Sequence, residues 1–448
     1  MSFAKKTFSV LIRDSILFFS TIVTSVLLAR ALGPIALGIW VAINMIPSYA
    51  EMFGRIQADA ASVYYLGKGR FSISAVSRAL NWISIIPSLS IIMPILIFYD
   101  QLMMILLKDK ADEFYTLGYL ILLQLPLNFL YLNYMYLHIH REDVKSLNIM
   151  ILTRALLSSF FILSSLYIFN FGLFGAVMGS ILAITIALIL SIIRLGKLDV
   201  MPDDKTTGIY KNLVTYGFKL YLGNISSYFI LYLGQLLVAV FLLPAQVAFY
   251  SMAQQLSQYI EKISNAMGTF LFPRVTKEST PEEASTFTAQ AYRTACVIII
   301  PMAIFILFVI KPVVLILYGN EFQPIVNIFY IIFPGIVAMS IVSTLTLFFR
   351  ATGRADLLPK VLILPIFLQF GIGYFLVPEF GASGAAYGLS ISLISVSITY
   401  TIIFLKTNRL SFFKTLFIRK TDIVIVYNFL LSVVLSIINF GRSREKKF

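Results

Sequence analysis

The stretch FGLFGAVMG (171–179) decides how this chain is read, because FGASGAAYG (380–388) spells it again. Phe, Gly, Gly, Ala and Gly recur in the same places at an offset of 209 residues. Each copy opens an apolar run of roughly twenty residues, enough to cross a hydrocarbon core about 30 Å thick. Gly172, Gly175 and Gly179 fall on nearly one helix face, as do Gly381, Gly384 and Gly388. Small residues at that spacing let two helix backbones approach closely, so each copy reads as a packing seam rather than a ligand contact.

Similar apolar runs recur along nearly the whole chain. Of its 448 residues 59% are hydrophobic and 12% charged, where a soluble domain carries about 25% charged residues. The runs lack the two-residue alternation of a membrane barrel. The expected fold class is therefore an all-α polytopic membrane protein. Twelve spans are expected, at about 8–30, 35–57, 79–100, 115–138, 147–169, 172–194, 212–243, 246–272, 288–317, 325–349, 358–378 and 381–405. Residues 421–440, TDIVIVYNFLLSVVLSIINF, read either as a thirteenth span or as an interfacial helix before an inner basic tail.

The net charge of +14 is read as topology rather than as a nucleic-acid footprint, since Lys and Arg collect in cytoplasmic loops. With the N-terminus cytoplasmic, the outer side receives only Arg30, Lys108, Lys110 and Lys311, and all other loop cations fall inside. The single Cys296 excludes an internal disulfide. Lys5 and Lys6 resemble a signal n-region, but Arg13 and Asp14 interrupt the apolar stretch, so the N-terminus reads as the first span.

The repeat extends beyond its glycines. LLARALGPIALGIW (27–40) joins spans one and two, and LLVAVFLLPAQVAFY (236–250) joins spans seven and eight. At an offset of 210, Pro34 falls on Pro244, Trp40 on Tyr250, Tyr49 on Tyr259 and Glu51 on Glu261. HRED (140–143) and GRAD (353–356) occupy equivalent loops. The reading is two homologous six-helix halves in parallel orientation, 1–194 and 212–405, with a polar cytoplasmic linker at 195–211 and a basic tail at 406–448.

ARALGPIALGIW (29–40), YSMAQQL (250–256), FPRVTK (272–277) and the doubled glycine pattern together resemble one family. It is the polysaccharide-repeat, or O-antigen-type, flippases of the multidrug/oligosaccharidyl-lipid/polysaccharide (MOP) exporter superfamily. The resemblance covers roughly residues 5–410. It implies two lobes around a central cavity that opens alternately to each side of a bacterial inner membrane. The cargo it implies is an undecaprenyl-diphosphate-linked oligosaccharide used for lipopolysaccharide or another surface polysaccharide. Coupling to H+ or Na+ and association with other polysaccharide-assembly membrane proteins are left open.

Charged groups inside spans are expensive and tend to face a cavity or a partner. Arg13 and Asp14 point about 100° apart on a helix, so they are not expected to neutralise each other. Arg13 and Lys219 are the expected contacts for the lipid diphosphate, with headgroup snorkelling as the bland alternative. Asp14 and Asn224, which match in the repeat, are further expected substrate contacts. Glu51, Arg55 and Glu261 read as a structural set or as coupling groups. Tyr131, Asn133, Tyr221 and Tyr228 are expected sugar-facing residues, and an interfacial tyrosine belt explains some of them equally well. Arg30 and Arg154 read as interfacial anchors, and His138 and His140 as solvated. Pro47, Pro87, Pro94, Pro126, Pro301, Pro334 and Pro365 mark expected kinks.

No phosphate loop, paired-Cys metal motif or nucleophile elbow is visible, so neither enzyme chemistry, a cofactor nor a metal is expected. Two other readings stand beside the flippase. One is a cation-coupled multidrug exporter of the same superfamily. The other is a membrane polymerase or ligase of lipid-linked glycans, which the short outer loops disfavour.

Overall fold

The computed structural model describes residues 3–196, 207–262, 264, 280–354, 357–424 and 426–428. Among these there are helices and turns and no strand, as a hydrocarbon solvent demands when every backbone polar group must be satisfied within its own segment. The order is α1 (Phe3–Gly54), α2 (Ala58–Gly67), α3 (Ile73–Ile97), α4 (Tyr99–Leu107), α5 (Ala111–Leu122), α6 (Gln124–His140), α7 (Val144–Tyr167), α8 (Gly172–Leu195), α9 (Ile209–Phe241) and α10 (Pro244–Gln258). Then follow α11 (Pro281–Leu317), α12 (Pro324–Ala351), α13 (Leu357–Phe380), α14 (Ala382–Thr407) and the short α15 (Phe412–Leu416). Ten helical stretches among the described residues are long and apolar enough to cross a membrane.

Expected spans one and two both lie in α1, which is two helices joined at Gly33 (φ 67, ψ 177). Only glycine adopts that conformation readily, and Pro34 behind it has the fixed φ that starts a helix. The matching junction at 241–244 lacks glycine. There α9 ends and extended Leu242 (φ −118, ψ 170) leads to Pro244 at the head of α10. Expected span four is broken at Leu123 into α5 and α6. Span eight runs into residues outside those described, as does most of 421–440. Pro47, Pro87, Pro94, Pro301, Pro334 and Pro365 lie inside continuous helices, and Pro126 stands in the first turn of α6.

The doubled glycine pattern divides its labour. Gly172 and Gly381 have φ of 57 and 62 and turn the chain into α8 and α14. They are not part of the seam. A Cβ on Gly175 would fall 2.5 Å from Ser165 Cβ, and one on Gly179 would fall 2.8 Å from Phe161 Cβ, so both press α8 onto α7. A Cβ on Gly384 would fall 2.3 Å from the Leu376 carbonyl oxygen, closing α14 onto α13 in the same way.

The chain falls into two compact units. The first holds residues 1–228, 235–251 and 317–322; the second holds 229–234, 252–316 and 323–448. Inside the first, buried Ala58, Leu66, Val76, Leu80, Leu137 and Leu213 pack α2 among α3, α6 and α9. Inside the second, Arg293 of α11 donates from Nε to Asp422 Oδ2 at 2.8 Å and from Nη1 to the Thr415 carbonyl at 2.7 Å. Both side chains are buried, so this pair fastens the segment after α14 to α11.

Candidate functional site

The polar site of the first unit grows from the break between α1 and α2. Gln57 takes a left-handed conformation (φ 53, ψ 32) that interrupts the helix. Gly217 of α9 makes room for it, since a Cβ there would fall 2.6 Å from the Ile56 carbonyl oxygen. Asn224, one of the expected substrate residues, donates from Nδ2 to Gln57 Oε1 at 2.9 Å. Residues 54–59 with Ile83, Ser84, Phe129 and Asn133 line a small pocket at this break.

Arg55 is committed. Its Nε and Nη2 both donate to Asp59 Oδ2, at 2.9 and 2.5 Å, and Glu51 Oε1 lies 3.8 Å from Nη1. Its guanidinium carbon stands 5.7 Å from the centre of the Tyr136 ring. Asp59 is 3% exposed and was not among the residues singled out from sequence. The four-residue spacing of Arg55 and Asp59, one turn of helix, was the signal that could have found it. Glu51 accepts a hydrogen bond from Asn128 Nδ2.

Arg154 differs from its neighbours. Its guanidinium carbon lies 4.8 Å over the Tyr131 ring, yet it makes no hydrogen bond or ion pair among the described residues. A half-buried guanidinium carries five N–H donors in a fixed fork that matches a phosphate. An anchor at the interface would leave that fork in water; here it is stacked on a buried ring, with the Glu51 charge acting on it. Tyr131 and Asn133 are both buried. Asn133 spends its amide on the Leu80 carbonyl and Ser84 Oγ, at 3.1 and 2.8 Å, which makes it a packing residue rather than a sugar contact.

Arg13 and Asp14 correct the expectation drawn from helix geometry. Arg13 Nε and Nη2 donate to Asp14 Oδ1 at 2.9 and 2.8 Å. The long arginine stem bends round the helix and spans the angle between the two positions. Arg13 Nη1 also donates to Asn148 Oδ1 at 3.0 Å, which ties α1 to α7. Lys219, Asn224 and Tyr228 are exposed on α9, and Tyr221 stacks on Phe218 at 5.8 Å. Glu261 is half-buried two residues beyond Tyr259, at the edge of the described segment. His138 is buried, not solvated, with Nε2 3.2 Å from the Ser191 carbonyl oxygen between α6 and α8. The structure thus gathers Glu51, Arg55 and Tyr131 with Arg154 near the C-terminal end of α1, and places Arg13 with Asp14 as a separate pair.

A family model described as polysaccharide biosynthesis protein matches residues 27–327. The chain belongs to that family. No curated protein matches it in sequence. Among solved structures, this polysaccharide biosynthesis family member is similar to the lipid II flippase MurJ in an inward closed conformation. The two share 12% identity and a TM-score of 0.75 over 94% of this chain and 92% of that one. It is also similar to an inward-facing multidrug resistance MATE family transporter of the MOP superfamily, at 15% identity and a TM-score of 0.69 over 89% and 98%. The Vibrio cholerae MATE transporter VcmN aligns at 13% identity and a TM-score of 0.62 over 90% and 96%. The fold is therefore that of the MOP transporters.

Proposed function

We propose that this family member is a flippase rather than an enzyme. It carries an undecaprenyl-diphosphate-linked oligosaccharide from the inner to the outer leaflet of a bacterial inner membrane, with its N-terminus in the cytoplasm. Residues 1–194 and 212–405 act as its two lobes. The observation that carries the reading is Arg154, a half-buried guanidinium with no acceptor among the described residues, presented on the face of Tyr131. A charge held ready in this way suits a dehydrated diphosphate, because charge-assisted bidentate hydrogen bonds repay the desolvation of both partners. Arg13 and Lys219 are the additional cations proposed to meet the headgroup. Exposed Tyr228 and half-buried Tyr221 on α9 offer ring faces for the sugars.

The multidrug-exporter reading draws on the MATE likeness. Glu51 and Asp59, two carboxylates bracketing Arg55, are the groups a cationic drug or a coupling H+ or Na+ would use. Reconstitution separates the two. Proteoliposomes loaded with the lipid-linked oligosaccharide should show its transfer between leaflets, and Arg154→Ala should abolish most of it. Dye efflux without lipid transfer would overturn the flippase.

A further inference from the structure

The motif ARALGPIALGIW (29–40) has no part in the polar site, and its Arg30, Gly33 and Gly38 meet the second half of the sequence within the first unit. Arg30 Nε donates to the carbonyl of Leu317 at 2.7 Å, the last residue of α11. Gly33 turns the chain beside Glu321, whose Oε2 would stand 3.8 Å from a Cβ at that position. Gly38 lies directly on the start of α10, where a Cβ would fall 1.8 Å from the Pro244 carbonyl oxygen. One turn before the motif, Ser25 Oγ and Tyr318 Oη are 2.9 Å apart. Beyond it, Lys108 Nζ donates to the Val240 carbonyl at 2.5 Å, in the last turn of α9.

Two of these contacts share one chemistry. The last four carbonyls of a helix lack intrahelical partners, and the helix dipole leaves negative potential there. Arg30 and Lys108 are two of the few cations that the charge bias assigns to the outer side. Each is spent on the C-terminal end of a helix, α11 for one and α9 for the other. Their presence where positive charge is otherwise avoided then has a cause that topology does not supply.

We propose that ARALGPIALGIW and Lys108 form an outer latch. Cations from the first half cap the outer C-termini of α9 and α11, and the bare backbone at Gly38 lets α10 close against α1. The latch is shut in this structure and opens when the outer side becomes accessible. Gly38 is the sharpest handle on it. Alanine is the better helix former there, so Gly38→Ala leaves the helix sound and acts only through the close approach.

The test uses the full chain in proteoliposomes, carrying Ser25→Cys as reporter and Cys296→Ala to remove the native thiol. A membrane-impermeant maleimide is applied from the outer face. Gly38→Ala, Arg30→Met and Lys108→Met, each added to this background, should speed labelling at position 25 several-fold. Thermal melts in detergent show that each variant is folded. Unchanged labelling in folded Gly38→Ala and Arg30→Met would overturn the latch. Labelling needs no substrate, so failure here is separate from failure of the flippase assignment.

Discussion

Glu51, Arg55, Asp59 and Arg154 sum to no formal charge, but the four are unequally engaged. Asp59 holds Arg55 through two hydrogen bonds, Asn128 holds Glu51, and among the described residues Arg154 rests on a ring alone. Arg154 is therefore the member free to take up an anion, and Glu51 is the member that opposes it. A hydrogen bond to a charged group contributes about 1.5–3 kcal/mol, so Arg154→Ala should weaken binding of the lipid diphosphate by about ten- to a hundredfold. Glu51→Gln should act in the other direction. It keeps an amide that can bond Asn128 and leaves the set with one net positive charge, so binding should tighten several-fold. Titration of both variants with the lipid-linked oligosaccharide in nanodiscs checks this, and weaker binding in Glu51→Gln would refute the charge argument. Asp59 and Gln57 were readable in advance only through spacing and breakage. What hid Arg154 was the reading of its depth: taken for an anchor near a span's end, it stands about three turns into α7.

The junctions between helices make equally specific demands. In HRED the turn is made by Glu142 in a left-handed conformation (φ 52), after which Asp143 accepts from the backbone of Ser146 at 3.0 Å and caps α7. Burial pushes the Asp143 carboxyl up, but its hydrogen bonds with Ser146 outweigh that and hold it below its ordinary value. A carboxyl lowered by folding contributes stability that is full above its unfolded value of about 3.9 and fades as pH falls through the lowered folded value. Asp143→Ala should cost about 1 kcal/mol at neutral pH, with the difference from the parent shrinking in strong acid; melts across pH measure it. The glycine seams rank by what stands in the way. A Cβ on Gly384 would stand 2.3 Å from the Leu376 carbonyl oxygen and 2.6 Å from the Val377 nitrogen, whereas the nearest atom to a Cβ on Gly179 is Phe161 Cβ at 2.8 Å. Overpacking of this kind costs about 1–3 kcal/mol, so Gly384→Ala should lower the melting temperature more. The repeat announced these seams because backbone contact admits only glycine, and glycine is visible in any sequence. The buried Arg293–Asp422 pair had no such mark, since its partners lie 129 residues apart and nothing local betrays either one.

Orientation is the property of the whole chain that the positive-inside bias of its charges proposes before any helix packs. Apolar periodicity was enough to find nearly every helix, because a hydrocarbon solvent leaves so few alternatives. It put a boundary at 31–34, where Gly33 kinks the chain, and an end at 57, where Gln57 breaks it, but it missed the short α2 after Gln57 and the α5–α6 break. Charge, by contrast, was legible as a sum but not in its parts, since Arg30 and Lys108, read from sequence only as outer-side cations, donate to helix C-terminal carbonyls. Those caps strengthen the orientation argument. A cation held by a helix C-terminus has a local reason to defy the positive-inside bias, so removing Arg30 and Lys108 from the tally leaves the outer side poorer still. Single cysteines in a Cys296→Ala background test the outcome. Lys110→Cys, on an exposed residue paired with Glu113 at 3.0 Å, should react with an impermeant maleimide in intact cells. Lys145→Cys, exposed in the first turn of α7, should react only after permeabilisation. The reverse pattern would invert the chain, turn the latch into an inner one, and place Arg154 where a lipid diphosphate made in the cytoplasm does not enter first.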